Sequence, residues 1–130
     1  MIYLDSSALV KLVVPESESA ALFEFLADRP ARVSSALSRV EVHRALKRAG
    51  CSKQQIARGD QVLNAISLMR IDDAILDAAS RLAPSTLRSL DAIHLATALA
   101  VGEDLDAVVA YDDRLAGAAK RAGLRSLAPT

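Results

Sequence analysis

Ala107-Val108-Val109-Ala110-Tyr111-Asp112-Asp113-Arg114-Leu115 changes character at its centre. Its first four residues are small or β-branched and apolar, the composition of a strand covered on both faces. Asp112 then offers an N-cap carboxylate. From Arg114 to Ala122 the spacing is helical, and Gly123 stands where a helix ends. A buried strand, an acid at its carboxyl end and a helix begun by that acid therefore follow one another within a few residues. The amino end reads in a similar way. Ile2-Tyr3-Leu4 is a short buried strand stopped by Asp5, Ser6 and Ser7 can cap a helix over Ala8 to Val14, and Pro15 closes it.

Between these two units strands and helices continue to alternate. Helices are predicted over Ser17–Ala27, Leu37–Ala49 (ended by Gly50), Ser52 to about Ile66, Asp73–Leu82 behind the cap Asp72, and Ser89–Val101. Gly59 reads as a weak point inside its helix, worth roughly 1 kcal/mol against Ala. Strands are predicted at Ala31–Ser34 and Leu68–Ile71, with Leu124–Leu127 as a final edge strand. Such alternation means an α/β fold with a mostly parallel sheet. A length of 130 residues suits one domain, 1–130, with no linker, repeat or low-complexity tract.

Composition narrows the function. With 52% hydrophobic and 25% charged residues the chain is an ordinary globular one, and 3% aromatics without Trp leave an aliphatic, Ala-rich core. Few aromatics also argue against nucleic-acid binding by base stacking. Sixteen basic and sixteen acidic residues cancel, so any attraction for RNA has to come from a local patch. Arg39, Arg44, Lys47, Arg48, Lys53 and Arg58, with Glu41 the one acid named among them, supply a candidate; a solvated helix face explains them equally well. Cys51 is alone, so no internal disulfide can form, and a reducing cytoplasm is the default compartment. Met1-Ile2-Tyr3-Leu4-Asp5 lacks the basic start of a signal peptide. Ala92–Val101, the longest apolar stretch, is too short to span a bilayer, so no membrane partner is expected.

The chemistry rests on acids. In an open parallel sheet ligands bind beyond the carboxyl ends of the strands, where Asp5 and Asp112 are expected. Glu41 and Asp91 fall in the first turns of helices that the fold can bring to the same edge. Four converging carboxylates repel one another unless some take up protons or a hard divalent cation, Mg²⁺ or Mn²⁺, neutralises them. No Cys/His cluster points to zinc. Such a site suits phosphodiester hydrolysis by metal-activated water. The same residues also admit a structural explanation. Asp5 and Asp112 are natural N-caps, Ser38-x-x-Glu41 has the spacing of a capping box, and Asp91 complements its helix dipole.

Four segments carry a resemblance that separates these readings. Ile2-Tyr3-Leu4-Asp5-Ser6-Ser7-Ala8-Leu9, Ser38-Arg39-Val40-Glu41-Val42, Leu90-Asp91-Ala92-Ile93-His94-Leu95-Ala96-Thr97-Ala98 and Val109-Ala110-Tyr111-Asp112-Asp113-Arg114-Leu115 resemble, in order, the acidic motifs of PIN-domain ribonucleases, especially VapC-type toxins of type II toxin–antitoxin systems. The resemblance implies a three-layer α/β/α domain with strand order 3-2-1-4-5. It also implies an acidic pocket of Asp5, Glu41, Asp91 and Asp112 holding Mg²⁺ or Mn²⁺, and Mg/Mn-dependent endoribonuclease activity on tRNA or ribosomal RNA that inhibits translation and growth. A homodimer and a VapB-type antitoxin covering the pocket come with it. Ser6 takes the hydroxyl position beside the first acid, where Thr is more usual. Ala110 stands where a hydroxyl residue is common, which bears on a second metal ion. Arg114 could clamp an RNA phosphate or form a surface salt bridge. His94, three residues after Asp91, could touch the pocket or serve as a buried structural histidine. Asp113 reads as a surface acid.

Two other readings compete. An aspartate-phosphorylating enzyme would need Asp-x-Asp after the first strand, where this chain has Asp5-Ser6-Ser7, or a Lys ending the last strand, which Leu124–Leu127 does not supply. A non-catalytic PIN-like module that binds RNA or a protein is the alternative, with Ala110 in its favour and the four intact acids against it.

Overall fold

A computed structural model describes residues 1–130. Five short strands, β1 (Ile2–Leu4), β2 (Arg32–Ser35), β3 (Ser67–Met69), β4 (Ala107–Val109) and β5 (Ser126–Leu127), form one sheet of order β3-β2-β1-β4-β5. Every pairing is parallel. The helices are α1 (Ser6–Lys11), α2 (Ser19–Leu26), α3 (Ser38–Arg48), α4 (Lys53–Asn64), α5 (Asp73–Ser80), α6 (Ser89–Val101) and α7 (Asp113–Arg121).

Strand alternation sends successive side chains to opposite faces, and β1 shows the result. Ile2 and Leu4 enter an aliphatic core with Leu9, Leu22, Leu26, Val42, Leu46 and Val62, drawn from α1 to α4. Tyr3 enters a second core with Val33, Leu95, Ala98, Val108, Leu115 and Ala119, which brings in α6 and α7. The sheet thus lies between two helical layers, the α/β/α arrangement expected. The chain steps from β1 outward to β3, then returns to the other side of β1 as β4. The reversal of strand order therefore lies between β1 and β4, where a doubly wound sheet opens a crevice.

Several local expectations are corrected. Asp5, not Ser6 or Ser7, caps α1, accepting the Ala8 N–H. That helix stops at Lys11 rather than Val14, because Ser19 Oγ donates to the Lys11 carbonyl at 2.8 Å and accepts the Glu16 N–H at 2.9 Å, turning the chain. The Ser38–Glu41 capping box does not form. Leu37 is the N-cap without a side-chain bond, and buried Ser38 pairs with Ser34 at 2.7 Å. Gly59 also has a packing role: a Cβ there would lie 2.7 Å from the Cδ1 of buried Leu46, so glycine's propensity cost in α4 comes with room for Leu46 of α3. β3 begins at Ser67 instead of Leu68 and ends at Met69. The expectations for α6, for the caps Ser52, Asp72 and Asp112, and for Gly50 in the left-handed conformation (φ 67°) hold.

Candidate active site

Asp5 and Asp112 leave the carboxyl ends of β1 and β4, on either side of the reversal point. The Asp5 N–H continues the sheet by donating to the Val109 carbonyl at 3.1 Å. Ser7 ties the two strand ends together, with Oγ donating to Asp5 Oδ1 at 2.7 Å and accepting the Tyr111 N–H at 3.4 Å. Glu41 comes from the first turn of α3 and Asp91 from the first turn of α6.

The hydrogen bonds of these acids divide unevenly between their two oxygens. Asp5 Oδ1 accepts from Ser7 Oγ and from the Ala8 N–H at 3.0 Å. Asp112 Oδ1 accepts the N–H groups of Arg114 at 2.8 Å and Leu115 at 3.2 Å. Glu41 Oε1 accepts from Ser6 Oγ at 2.5 Å and is 2.6 Å from His94 Nε2. In all three the second oxygen has no protein donor, and Asp91 accepts no hydrogen bond at either oxygen. No buried side-chain polar atom in the molecule lacks a partner. Asp5 is only 5% exposed as a residue, so its spare Oδ2 must reach solvent. Capping and ligand binding are therefore compatible: one oxygen begins the helix and the other stays available.

Electrostatics link the set. Burial pushes the Asp5 carboxyl upward against its Ser7 and Ala8 donors, and the Glu41 charge adds to the rise. Asp91 is also raised, first by burial and then by Asp112, with a further contribution from Glu41. Burial alone would raise Glu41 too, but hydrogen bonds from His94 and Ser6 outweigh it and hold that carboxyl below its ordinary range. The acids thus carry the charge conflict expected of a cation site, and their donors are all oxygens, as Mg²⁺ or Mn²⁺ requires. No three of these side chains close on a single point to hold an ion by themselves. A hydrated Mg²⁺ needs less, since it keeps several waters and takes one or two carboxylates. On that chemistry the residues fit.

Ser6, Ser7 and Glu41 line a cavity of about 320 Å³ between α1 and α3, together with Lys11, Glu16 and Arg48. Of the four acids only Glu41 belongs to its lining; Asp5, Asp91 and Asp112 lie outside it. Lys11 is engaged with Glu16 and Glu18, whereas Arg48 forms no ion pair. A larger apolar groove between α5 and α6, lined among others by Leu76, Leu82, Leu87 and Ile93, contains none of the four acids. The side chain of Arg114 is exposed and makes no salt bridge, which removes the surface-bridge expectation. Asp113 is exposed, as expected. Ala110 is buried in the second core and presents no hydroxyl.

Sequence reasoning left His94 open and missed Tyr3. His94 is 3% exposed and its ring joins the site to the core, with Nε2 on Glu41, a longer 3.3 Å contact to Ser6 Oγ, and Nδ1 2.7 Å from the Tyr3 hydroxyl. The three-residue step from Asp91 was the available signal for His94. Nothing in the spacing pointed to Tyr3.

This fold and acid arrangement define a class, and residues 2–121 match the PIN domain model. The chain belongs to the PIN-domain family. Within it, the chain is 51% identical to Ribonuclease VapC46 of Mycobacterium tuberculosis, over 99% of this chain and 98% of that protein. It is 43% identical to Ribonuclease VapC35 of the same species, over 99% and 97%. Among solved structures, M. tuberculosis VapC20, described as a sarcin-ricin loop cleaving toxin, superposes with a TM-score of 0.77 at 17% identity, covering 99% of this chain and all of that one. VapBC2 of Rickettsia felis, bound to a DNA fragment from its promoter, gives 0.71 at 16% identity, covering both chains fully. These two structures bear on the fold alone. PIN-domain ribonucleases are generally dependent on divalent metal ions. No helix of this chain is long and apolar enough to cross a membrane.

Proposed function

We propose that residues 1–130 act as one catalytic domain, a Mg²⁺- or Mn²⁺-dependent endoribonuclease that serves as the toxin of a type II toxin–antitoxin pair in the cytoplasm. The observation that carries the reading is the spare oxygen on each of Asp5, Glu41 and Asp112 beside an Asp91 that accepts no hydrogen bond. The Ribonuclease VapC relatives support the substrate class, and the neighbouring toxin and toxin–antitoxin structures are consistent with it.

Asp5, Glu41, Asp91 and Asp112 would hold the ion. A bound divalent ion lowers the pKa of a coordinated water and stabilises charge on the scissile phosphate. The chain's own residues do the rest. Ser6 steadies Glu41 from the floor of the cleft, and Ser7 fixes Asp5. Arg48, unpaired at the cleft wall, and Arg114, exposed beside the Asp112 cap, bind flanking phosphates. Arg39, Arg44 and Lys47 on α3 and Lys53 and Arg58 on α4 are exposed without ion pairs, and would supply further local positive charge by which a chain of zero net charge can hold an RNA backbone. A single-stranded loop of tRNA or ribosomal RNA fits best, since its bases can be splayed out. A VapB-type antitoxin would cover the pocket, and the toxin would act as a homodimer.

The test is to map new RNA ends after incubating total cellular RNA with the purified chain in Mg²⁺ or Mn²⁺, with EDTA and Asp5→Asn as controls. Asn also caps helices well, so this variant keeps α1 while losing the charge. A few discrete ends, absent in both controls, are expected. RNA left uncut by a chain that also binds no metal would overturn the reading in favour of a non-catalytic binding module.

A further inference from the structure

Tyr3 is fully buried, and its side chain leaves β1 on the face opposite Leu4. Its hydroxyl has no route to solvent, and burial pushes the phenol far above its ordinary range, so it remains a neutral O–H. α6 lies across this face, with Leu95 and Ala98 packed in the same core. His94 therefore arrives directly beside Tyr3. The two rings meet edge to face, with centroids 5.9 Å apart and planes at 81°, and the Tyr3 hydroxyl is 2.7 Å from His94 Nδ1.

Chemistry orders the chain of donors. A carboxylate oxygen only accepts, so in the 2.6 Å contact His94 Nε2 is the donor to Glu41 Oε1. In the Nε2–H tautomer Nδ1 is an acceptor, and the Tyr3 hydroxyl donates to it. Ser34, packed next to the phenol, is bonded in turn to Ser38 on the first turn of α3, and Ser38 Oγ lies 3.3 Å from Ser6 Oγ. Both donors to Glu41, His94 and Ser6, meet Oε1, and Oε2 is left to the cleft.

An apolar pair would fill the space of Tyr3 and His94 without desolvating two polar groups, and such replacements are often neutral or stabilising. The polar pair supplies direction instead. A bound metal is commonly tuned by groups one step behind its ligands, which fix the orientation of the ligating side chains.

We infer that Tyr3 and His94 are positioning residues: a buried Tyr3–His94–Glu41 relay, entering from the sheet face opposite α1, clamps Oε1 and presents Oε2 to the divalent cation. The inference rests on the proposed nuclease reading but concerns residues outside the acidic set.

Mn²⁺ binding to the metal-free protein, measured by titration calorimetry without RNA, tests it together with thermal unfolding. Tyr3→Phe deletes one oxygen and His94→Ala removes the clamp, whereas His94→Gln restores an N–H donor at the same reach. Weakening of Mn²⁺ binding by roughly 10–100-fold is expected for His94→Ala, with a smaller loss for Tyr3→Phe and recovery in His94→Gln. A purely structural role would lower the unfolding temperature and leave the affinity alone. Folded His94→Ala with wild-type affinity, or His94→Gln no better than His94→Ala, would overturn the relay while leaving the nuclease standing. A wild-type protein that binds no Mn²⁺ would remove both.

Discussion

Asp72 and Asp112 begin α5 and α7 in the same way. Each follows a parallel strand and turns Oδ1 toward the opening N–H groups of its helix, from Ile75 at 2.9 Å in one case and from Arg114 and Leu115 in the other. By local chemistry they are interchangeable. Position separates them. β3 is an edge strand, and none of the groups with a shifted pKa responds to the charge of Asp72. β4 lies beside β1 at the reversal of strand order, and there Asp112 raises Asp91. A cap becomes a candidate ligand when topology places other acids around its spare oxygen. The helix-forming role is paid in full by one oxygen, so it neither proves nor excludes the chemical one.

Stability offers the first way to break this comparison. Asp72→Ala should cost about 1 kcal/mol through the lost cap. Asp112→Ala also loses a cap, with two N–H groups on its Oδ1 rather than one, but relieves Asp91 of a neighbouring charge, so its cost in metal-free protein should still be the smaller. Urea unfolding of the two variants measures the difference; equal costs, or a larger one at Asp112, would show that its charge matters no more than that of Asp72.

A smaller effect has a definite sign. The folded-state pKa of Asp91 is raised above its ordinary 3.8. Its charge therefore disfavours folding at neutral pH, and that penalty fades as pH falls through the raised value toward 3.8. Asp91→Asn should then stabilise the metal-free protein at pH 7, by well under about 1 kcal/mol given how exposed the group is, and the gain should vanish near pH 4. Glu41 has the opposite sign. Its lowered pKa contributes stability above its ordinary 4.5 that is lost on acidification. Unfolding temperature against pH for the wild type and Asp91→Asn checks the result; no gain at pH 7 would mean that neither burial nor the neighbouring acids penalise the Asp91 charge.

Much of this could be read from the sequence. Alternating apolar runs and helical spacing led to the parallel sheet and to α6 with its observed bounds, and motif resemblance supplied the strand order and the four acids. What escaped depended on which face a side chain takes. Ser38 and Glu41 have capping-box spacing, yet the helix begins one residue earlier, and Ser38 turns inward to Ser34. Gly59 has the profile of a helix defect, and its packing role emerges only with the approach of Leu46. Tyr3 and His94 stand 91 positions apart, and their meeting follows from the alternation of β1 and the crossing of α6, which no local pattern encodes. The division of labour between the oxygens of a carboxylate is likewise invisible to residue type.

Mn²⁺ calorimetry on Asp112→Asn and Asp72→Asn, with unfolding temperature as a control, tests the site most directly. Asn preserves both caps, so both variants should unfold within a degree or two of the wild type. Asp72→Asn should bind Mn²⁺ normally, whereas Asp112→Asn should lose more than the roughly 10–100-fold that removal of a group behind a ligand costs. Equal, undiminished binding by the two variants would contradict the assignment of Asp112 to the metal site and return it to the role of a helix cap.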